Sequence, residues 1–215
     1  MGVFDQITET SLRIFGSTKK TKETNQPPRK RVLFVSHEAT RTGAPKIILN
    51  ILRHFSENCD IQCETILHNG GHLVSEFGRY SEVNCLNIAR KQTDELQRKI
   101  RKIIQKEKSN TPILAICNSM ESRFIGQELS ENNIPVISLV HELPSSYDAE
   151  DYDNVFEQSN KVVFPAHAVQ QATQHKLSAE LADPNKRILN HPLPASKYTI
   201  LPQGLLNAEF GKGIT

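Results

Sequence analysis

The sequence predicts an α/β fold, a Rossmann-like, doubly wound and mostly parallel sheet. Short apolar runs alternate along the chain with longer segments whose apolar residues recur at helical spacing. Most of the short runs are continuous rather than alternating, which is typical of parallel strands covered by helices on both faces. With 215 residues, the chain is long enough to bury a sizeable core.

Seven strands are predicted, of which the last has the weakest pattern: 31–36, 61–67, 83–88, 112–117, 135–140, 160–164 and 198–201. The helices predicted between them span 45–56, 72–79, 91–108, 120–132, 151–158 and 165–178. In the first helix the apolar side chains of Ile47, Ile48, Ile51, Leu52 and Phe55 recur at the spacing of one helical face. Strands that alternate with helices imply right-handed crossovers between parallel neighbours.

The ends of the chain differ in composition from the middle. Residues 1–30 are predicted to hold a short helix and then a flexible, basic linker, because 17–30 are polar, contain proline and lack apolar residues to bury. Residues 31–211 are predicted to form one domain, and 212–215 a tail. The basic side chains near the linker permit contact with an anionic membrane surface, a disordered tail being the alternative. These basic residues are Lys19, Lys20, Lys22, Arg29, Lys30 and Arg31.

Composition excludes several classes of protein. The net charge of +2 gives no reason to expect a nucleic-acid partner. The sequence has no apolar run of about 18 residues and no secretory signal, so a cytoplasmic location is predicted. The four cysteines show no C-x-x-C spacing, and we expect free, buried thiols in a reducing compartment. The eight histidines are scattered, so no metal site is predicted.

Polar side chains follow several of the predicted strands, where α/β proteins place their chemistry. We expect them to converge on one crevice, and those that end the first, fourth and fifth strands are Ser36, His37, Glu38, Asn118, His141 and Glu142. The sixth strand leads to a further histidine, His167. Each also has an alternative: the histidines bond to loops, the carboxylates face water, and Asn118 with the serine after it starts a helix.

Gly43 lies just before the first predicted helix, with Arg41 two residues earlier. A residue without Cβ at this place lets backbone N–H groups approach an anion, although an ordinary tight turn would also use glycine. The segment is neither a G-x-G-x-x-G fingerprint nor a P-loop, and G-x-S-x-G is absent. Dinucleotide enzymes, nucleotide triphosphatases and α/β-hydrolases therefore lose support.

Four segments together resemble the retaining glycosyltransferases of family 4, which have the GT-B fold. Ser36 to Pro45 resembles the opening of that family, and Ile137 to Glu142 resembles its mid-domain strand ending in histidine. Lys161 to Ala166 resembles its strand before a serine and a helix, although Ala166 and His167 replace the serine here. Ile200 to Leu205 resembles its Pro-x-Gly crossover to a second domain.

The resemblance implies one half of a GT-B fold, the acceptor-side domain. A complete enzyme would transfer a sugar from a nucleotide-sugar to a glycan or lipid-linked acceptor with retention, with no metal or other cofactor. His141 resembles the catalytic histidine near the transferred sugar, and Gly43, Ala44 and Arg41 resemble the loop at the donor phosphates. The cleft residues on the acceptor side would then be Ser36, His37, Glu38, Asn118 and Glu142. The donor-binding domain is expected to be absent from these residues, so little transferase activity is expected from this chain alone.

Two other functions stay open at the level of the sequence. One is a binding module that does not catalyse by itself and pairs with a separate donor-domain chain, or a degenerate remnant. A sugar-nucleotide epimerase of GT-B type is the other alternative, although its catalytic carboxylates are not evident here.

Overall fold

The computed structural model describes residues 29–88, 93–106, 110–181 and 194–201. Its strands are β1 Lys30–Ser36, β2 Ile61–Leu67, β3 Glu82–Cys85, β4 Leu114–Asn118, β5 Val136–Leu139, β6 Lys161–Phe164 and β7 Tyr198–Ile200. They form one seven-stranded sheet in the order β3-β2-β1-β4-β5-β6-β7, and every neighbouring pair is parallel. The predicted Rossmann-like α/β fold is confirmed.

The helices are α1 Gly43–Asn58, α2 Val74–Phe77, α3 Thr93–Gln105, α4 Arg123–Glu131, α5 Ala149–Gln158 and α6 His167–Leu181. Short 3₁₀ turns span Met120–Ser122, Pro144–Ser146 and Ala195–Lys197. Each described helix lies where the sequence predicts one. None of them is long and apolar enough to cross a membrane. The predicted N-terminal helix and linker up to residue 28, the Pro-x-Gly segment and the tail lie outside the described residues.

Two predicted elements are shorter than expected. The strand predicted over 83–88 ends at Cys85, and Asn87 then takes a positive φ of 48°, so the chain leaves the extended conformation while the Asn87 N–H bonds to the carbonyl of His68. The helix predicted over 72–79 spans four residues. Leu73, just ahead of it, donates its N–H to the carbonyl of Ala39 in the loop after β1, and Gly78 follows the last helical residue. Both differences arise from contacts with neighbouring elements that local sequence cannot show.

The side chains of β1 alternate between two cores on opposite faces of the sheet. Val32 and Phe34 pack with α1 residues such as Leu52, whereas Leu33 and Val35 pack with the apolar sides of α3 and α4. A continuous apolar run therefore reflects burial on both faces, as the sequence pattern indicates. A third cluster forms the core around α5 and β6.

Arg31 is a fully buried charge at the amino end of β1. Its guanidinium pairs with Glu64 of β2 at 2.8 Å. It also donates to the carbonyls of Ile103, Ile104 and Asn110 at 2.5, 3.4 and 3.0 Å. Two of these carbonyls belong to the last turn of α3, where a cation offsets the helix dipole. One side chain thus joins β1, β2 and the end of α3.

The burial of Arg31 corrects its assignment to a basic membrane-facing set. The side chain has no exposed surface, so it cannot contact lipid headgroups. Arg29, the residue before β1, is exposed but forms an ion pair with Asp60 at 2.9 Å. The contribution of Lys30 and of the residues ahead of it to membrane contact stays a prediction.

Replacing Glu64 with leucine should leave the Arg31 guanidinium buried without its carboxylate. We expect a loss of about 3–5 kcal/mol in the free energy of unfolding, because an uncompensated buried charge is costly. Urea denaturation followed by circular dichroism measures this loss. The control is Glu76→Ala, which removes the exposed pair with Arg79 at 3.0 Å and should cost less than about 1 kcal/mol. Equal losses in the two variants would contradict the structural role of Arg31.

Candidate functional site

The crevice lies where the strand order reverses, between β1 and β4. Strands β2 and β3 lie in sequence on one side of β1, and strands β4 to β7 lie in sequence on its other side. Ser36 at the end of β1 is paired in register with Asn118 at the end of β4, and Asn118 with Leu139 at the end of β5. Carboxyl ends of adjacent parallel strands at such a reversal are the usual ligand site of open α/β sheets.

Asn118 joins three parts of this crevice through a fully buried side chain. Its Nδ2 donates to the carbonyl of Ala44 in the first turn of α1 at 2.8 Å. Its Oδ1 lies 2.7 Å from Nε2 of His141, which follows β5. Direct hydrogen bonds thus join the end of β4 to His141 after β5 and to the first turn of α1, which follows β1. Asn118 does not cap a helix; Ser119 does, since its Oγ accepts from the N–H of Glu121 at 3.2 Å.

The surroundings of His141 favour the neutral form of its ring. Burial lowers the pKa of His141, and the nearby Glu142 carboxylate opposes that shift only in part. A neutral imidazole carries one proton and one lone pair, so it donates at one nitrogen and accepts at the other. The ring can therefore orient a hydroxyl group without carrying a charge.

The Glu142 carboxylate is bound by donors from three residues. It accepts hydrogen bonds from Ser119 Oγ, from the N–H of Met120 at 3.2 Å and from the N–H of His141 at 3.1 Å. Ser119 has a positive φ of 78°, a conformation that a residue with Cβ adopts only when its surroundings compensate. The carboxylate therefore fixes the turn after β4 rather than simply facing water. Contact between this carboxylate and the acceptor substrate of a sugar transfer stays a prediction.

Side chains of the loop after β1 form hydrogen bonds within that loop. Ser36 is buried, and its Oγ donates to the carbonyl of Glu38 at 2.8 Å. The Glu38 carboxylate accepts from Thr40 Oγ1 at 2.5 Å and lies 3.4 Å from His37 Nε2. His37 Nδ1 is buried, and no partner for it exists among the described residues. Such unsatisfied buried atoms are rare in folded proteins.

The amino end of α1 opens next to this loop. Thr42, the residue before the helix, has extended backbone and no capping hydrogen bond from its side chain. A Cβ placed on Gly43 would meet nothing within 4 Å, and Arg41 is exposed beside it. The N–H groups of Gly43 and Ala44 are at the positive end of the helix dipole, where anions bind. The predicted phosphate-facing residues are thus together at one open helix end.

A second loop supports the first, and sequence reasoning did not identify it as part of the site. Ala39 accepts from the N–H of Leu73 at 2.7 Å and donates to the carbonyl of Gly70 at 3.2 Å. Asn69 donates to the carbonyl of His37 at 2.9 Å. A Cβ on Gly71 would lie 2.3 Å from the Ala39 oxygen, so only glycine fits this contact. The paired glycines after β2 were the available signal, although they indicate a turn and not its partner.

The third strand-end histidine does not join the cluster. His167 is exposed at the start of α6, and no hydrogen bond links it to Asn118 or His141. No group of three His, Cys, Asp or Glu side chains in the described part of the chain is placed to hold a metal ion. The four cysteines are free, with Cys63 and Cys117 buried. Burial raises the pKa of both these thiols to about 12, so they are inert at neutral pH.

Comparison with known proteins supports the fold. No family model and no curated protein matches the sequence. Anabaena HepE, solved with UDP and glucose, is 14% identical over 80% of this chain and 44% of its own, with a TM-score of 0.57. A glycosyltransferase from Rickettsia africae is 17% identical over 80% of this chain and 42% of its own, with a TM-score of 0.53.

A third similar structure is the UDP-GlcNAc 2-epimerase from Neisseria meningitidis bound to UDP-GlcNAc. It is 12% identical over 79% of this chain and 45% of its own, with a TM-score of 0.52. The chain thus spans less than half the length of each of these three proteins. The structural neighbours are GT-B glycosyltransferases and related UDP-sugar epimerases, with which this chain shares a Rossmann-like fold.

Substituting Gly71 with alanine should push the second loop away from Ala39. We expect a loss of about 1–3 kcal/mol in the free energy of unfolding, because the added methyl group would overlap the backbone of the buried Ala39. Urea denaturation measures the loss, and amide chemical shifts of residues 37–42 report the displaced loop. Gly70→Ala is the matched control, because a Cβ there meets nothing within 4 Å. An unperturbed loop in the Gly71 variant would show that the close contact is not needed.

The lowered pKa of His141 makes stability depend on pH. As pH falls from about 7 to 5, the unfolded chain takes up a proton that the folded ring resists, so stability decreases. His141→Gln can keep a donor toward Asn118 and should flatten this part of the pH profile of the unfolding free energy. The control His175→Gln changes an exposed histidine and should preserve the profile. A His141→Gln profile parallel to that of the wild type would contradict a neutral, buried His141.

Proposed function

We propose that the chain is the acceptor-side domain of a GT-B glycosyltransferase of family 4. The enzyme would transfer a sugar from a nucleotide-sugar to a glycan or lipid-linked acceptor, with retention of the anomeric configuration. One observation carries the proposal: the buried amide of Asn118 bonds both to the first turn of α1 and to the ring of His141. An anion-binding helix end and a neutral hydrogen-bonding ring are thereby held at one crevice.

In this proposal the helix end receives the donor diphosphate. The N–H groups of Gly43 and Ala44 and the guanidinium of Arg41 offset the charge that grows on the departing nucleotide. Such preorganised dipoles stabilise charge where it develops without rearranging during the reaction. The open space around Gly43 leaves room for phosphate oxygens to reach the backbone.

The acceptor would approach from the loops after β1, β4 and β5. Two large apolar side chains are exposed in the described part of the chain, and both lie at this edge: Leu143 is 58% exposed and Phe124 is 37% exposed. In this proposal these two side chains would contact the apolar part of a lipid-linked acceptor. His37, Glu38 and Glu142 are the polar groups proposed to face its reacting end.

A second candidate function is epimerisation of a UDP-sugar. It is favoured by the likeness to the Neisseria meningitidis 2-epimerase, whose TM-score is within 0.05 of that of Anabaena HepE. The Glu142 carboxylate gives it no support, since both of its oxygens already accept hydrogen bonds from within the chain. A non-catalytic module that completes a separate donor-domain chain would use the same crevice.

Titration of the ¹⁵N-labelled chain with UDP-glucose and with UDP-GlcNAc tests the proposal. We expect amide shifts in residues 41–46 at millimolar ligand, because most donor contacts belong to a second domain. Arg41→Ala should weaken this binding by about three- to tenfold, the effect of one charge near a helix end. Arg79→Ala is the control, since it removes an exposed charge that precedes β3, away from the crevice.

The outcomes separate the candidates. Shifts that avoid residues 41–46, or an Arg41 variant that binds like the wild type, would contradict the donor site. Formation of the C2 epimer from UDP-GlcNAc would support epimerisation instead. Sugar transfer by this chain alone would contradict the need for a second domain.

A further inference from the structure

We propose that Asn118 is a positioning residue, which fixes His141 in its Nε2–H tautomer and so presents Nδ1 as an acceptor to a sugar hydroxyl. The tautomer assignment stands on the contacts of Asn118 alone. The identity of the ligand group rests on the proposed function. The two parts therefore have separate tests.

The orientation of the Asn118 amide follows from its partner on α1. The carbonyl of Ala44 can only accept, so the amide group 2.8 Å from it must be the Nδ2 donor. A flipped amide would place two oxygens in contact and leave a buried donor facing the ring. Oδ1 is therefore the atom that lies 2.7 Å from His141 Nε2.

The state of the His141 ring follows from Oδ1. An amide oxygen accepts and never donates, so Nε2 must carry the proton. In the neutral ring Nδ1 then holds the lone pair. None of the described residues forms a hydrogen bond with Nδ1, and this atom is not among the buried polar atoms that lack a partner. The lone pair therefore faces the open side of the crevice.

A neutral acceptor selects for a particular ligand group. Phosphate oxygens that carry negative charge have no proton to give, whereas a sugar hydroxyl donates readily. The pKa of His141 is lowered by burial, which keeps the ring from becoming a phosphate-binding cation at neutral pH. Phosphates are thus directed to the end of α1, and hydroxyls to Nδ1.

Asn118 can act in this way because its own position is fixed on several sides. Its backbone carbonyl accepts from Ser122 Oγ at 2.7 Å, and its neighbour Ser119 is bonded to Glu142. Glu142 also accepts from the N–H of His141 at 3.1 Å. Two consecutive residues, Asn118 at the end of β4 and Ser119 just after it, thus hold His141 and Glu142 after β5, so the ring has one orientation.

Long-range ¹H–¹⁵N correlation spectra of the free chain at pH 8 test the tautomer. We expect His141 to show a protonated Nε2 and an unprotonated Nδ1, with its signals identified by their loss in His141→Gln. Asn118→Asp keeps an acceptor and should keep the tautomer. Asn118→Leu removes the acceptor, and the two nitrogens should then move toward averaged shifts. The control Ser138→Ala removes a buried hydrogen bond between β5, the strand that precedes His141, and Ser159, and should change neither nitrogen.

A protonated Nδ1 in the wild type would overturn the assignment, and this needs no variant that must fold. A folded Asn118→Leu chain that keeps one Nε2–H tautomer would overturn the role of Asn118. In the second test, UDP-glucose should shift Nδ1, whereas UDP should shift only the amides of residues 41–46. Equal Nδ1 shifts with both ligands would overturn the hydroxyl assignment. No response to either ligand would overturn the proposed function and the hydroxyl assignment with it. The role of Asn118 would still be decided by the tautomer measurement.

Discussion

Buried polar groups have to be paired, and this constraint shapes both ends of the central strands. At the amino end of β1, Arg31 is closed off from water and is balanced by Glu64 and by carbonyls at the end of α3. At the carboxyl end of β4, Asn118 is equally buried and is balanced by Ala44 and His141. A charge or amide left without partners at such depth would cost more than most single contacts contribute.

The two pairings serve different purposes. Arg31 is paired with groups of the chain itself. Asn84 donates to the second oxygen of Glu64 at 2.8 Å, so the carboxylate that pairs with Arg31 is also bonded on both oxygens. Around Asn118 the network reaches a ring whose Nδ1 has no partner among the described residues, next to an uncapped helix end. The sheet is thus satisfied internally at one end and left able to bind a ligand at the other.

The loops around the crevice are also held in place by hydrogen bonds between paired polar groups. The segment after β1 is bonded to itself through Glu38 and to the segment after β2 through Ala39. The turn after β4 holds Ser119 at positive φ because Glu142 binds its hydroxyl. The backbone strain at Ser119 is compensated by a hydrogen bond to Glu142, which follows the neighbouring strand β5. Strain of this kind is common where a fold holds functional groups in one geometry.

The sequence by itself determined the order of strands and helices, the parallel sheet and the edge at which polar side chains would gather. These follow from periodicity and from runs such as Val32 to Val35, because burial on both faces leaves a local record in residue type. Only the tertiary structure decided that Arg31 is an internal ion-pair partner, that Gly71 makes room for Ala39, and that Asn118 orients His141. Each of these depends on a contact between residues more than twenty positions apart, and the local pattern of a sequence does not specify which distant groups will meet.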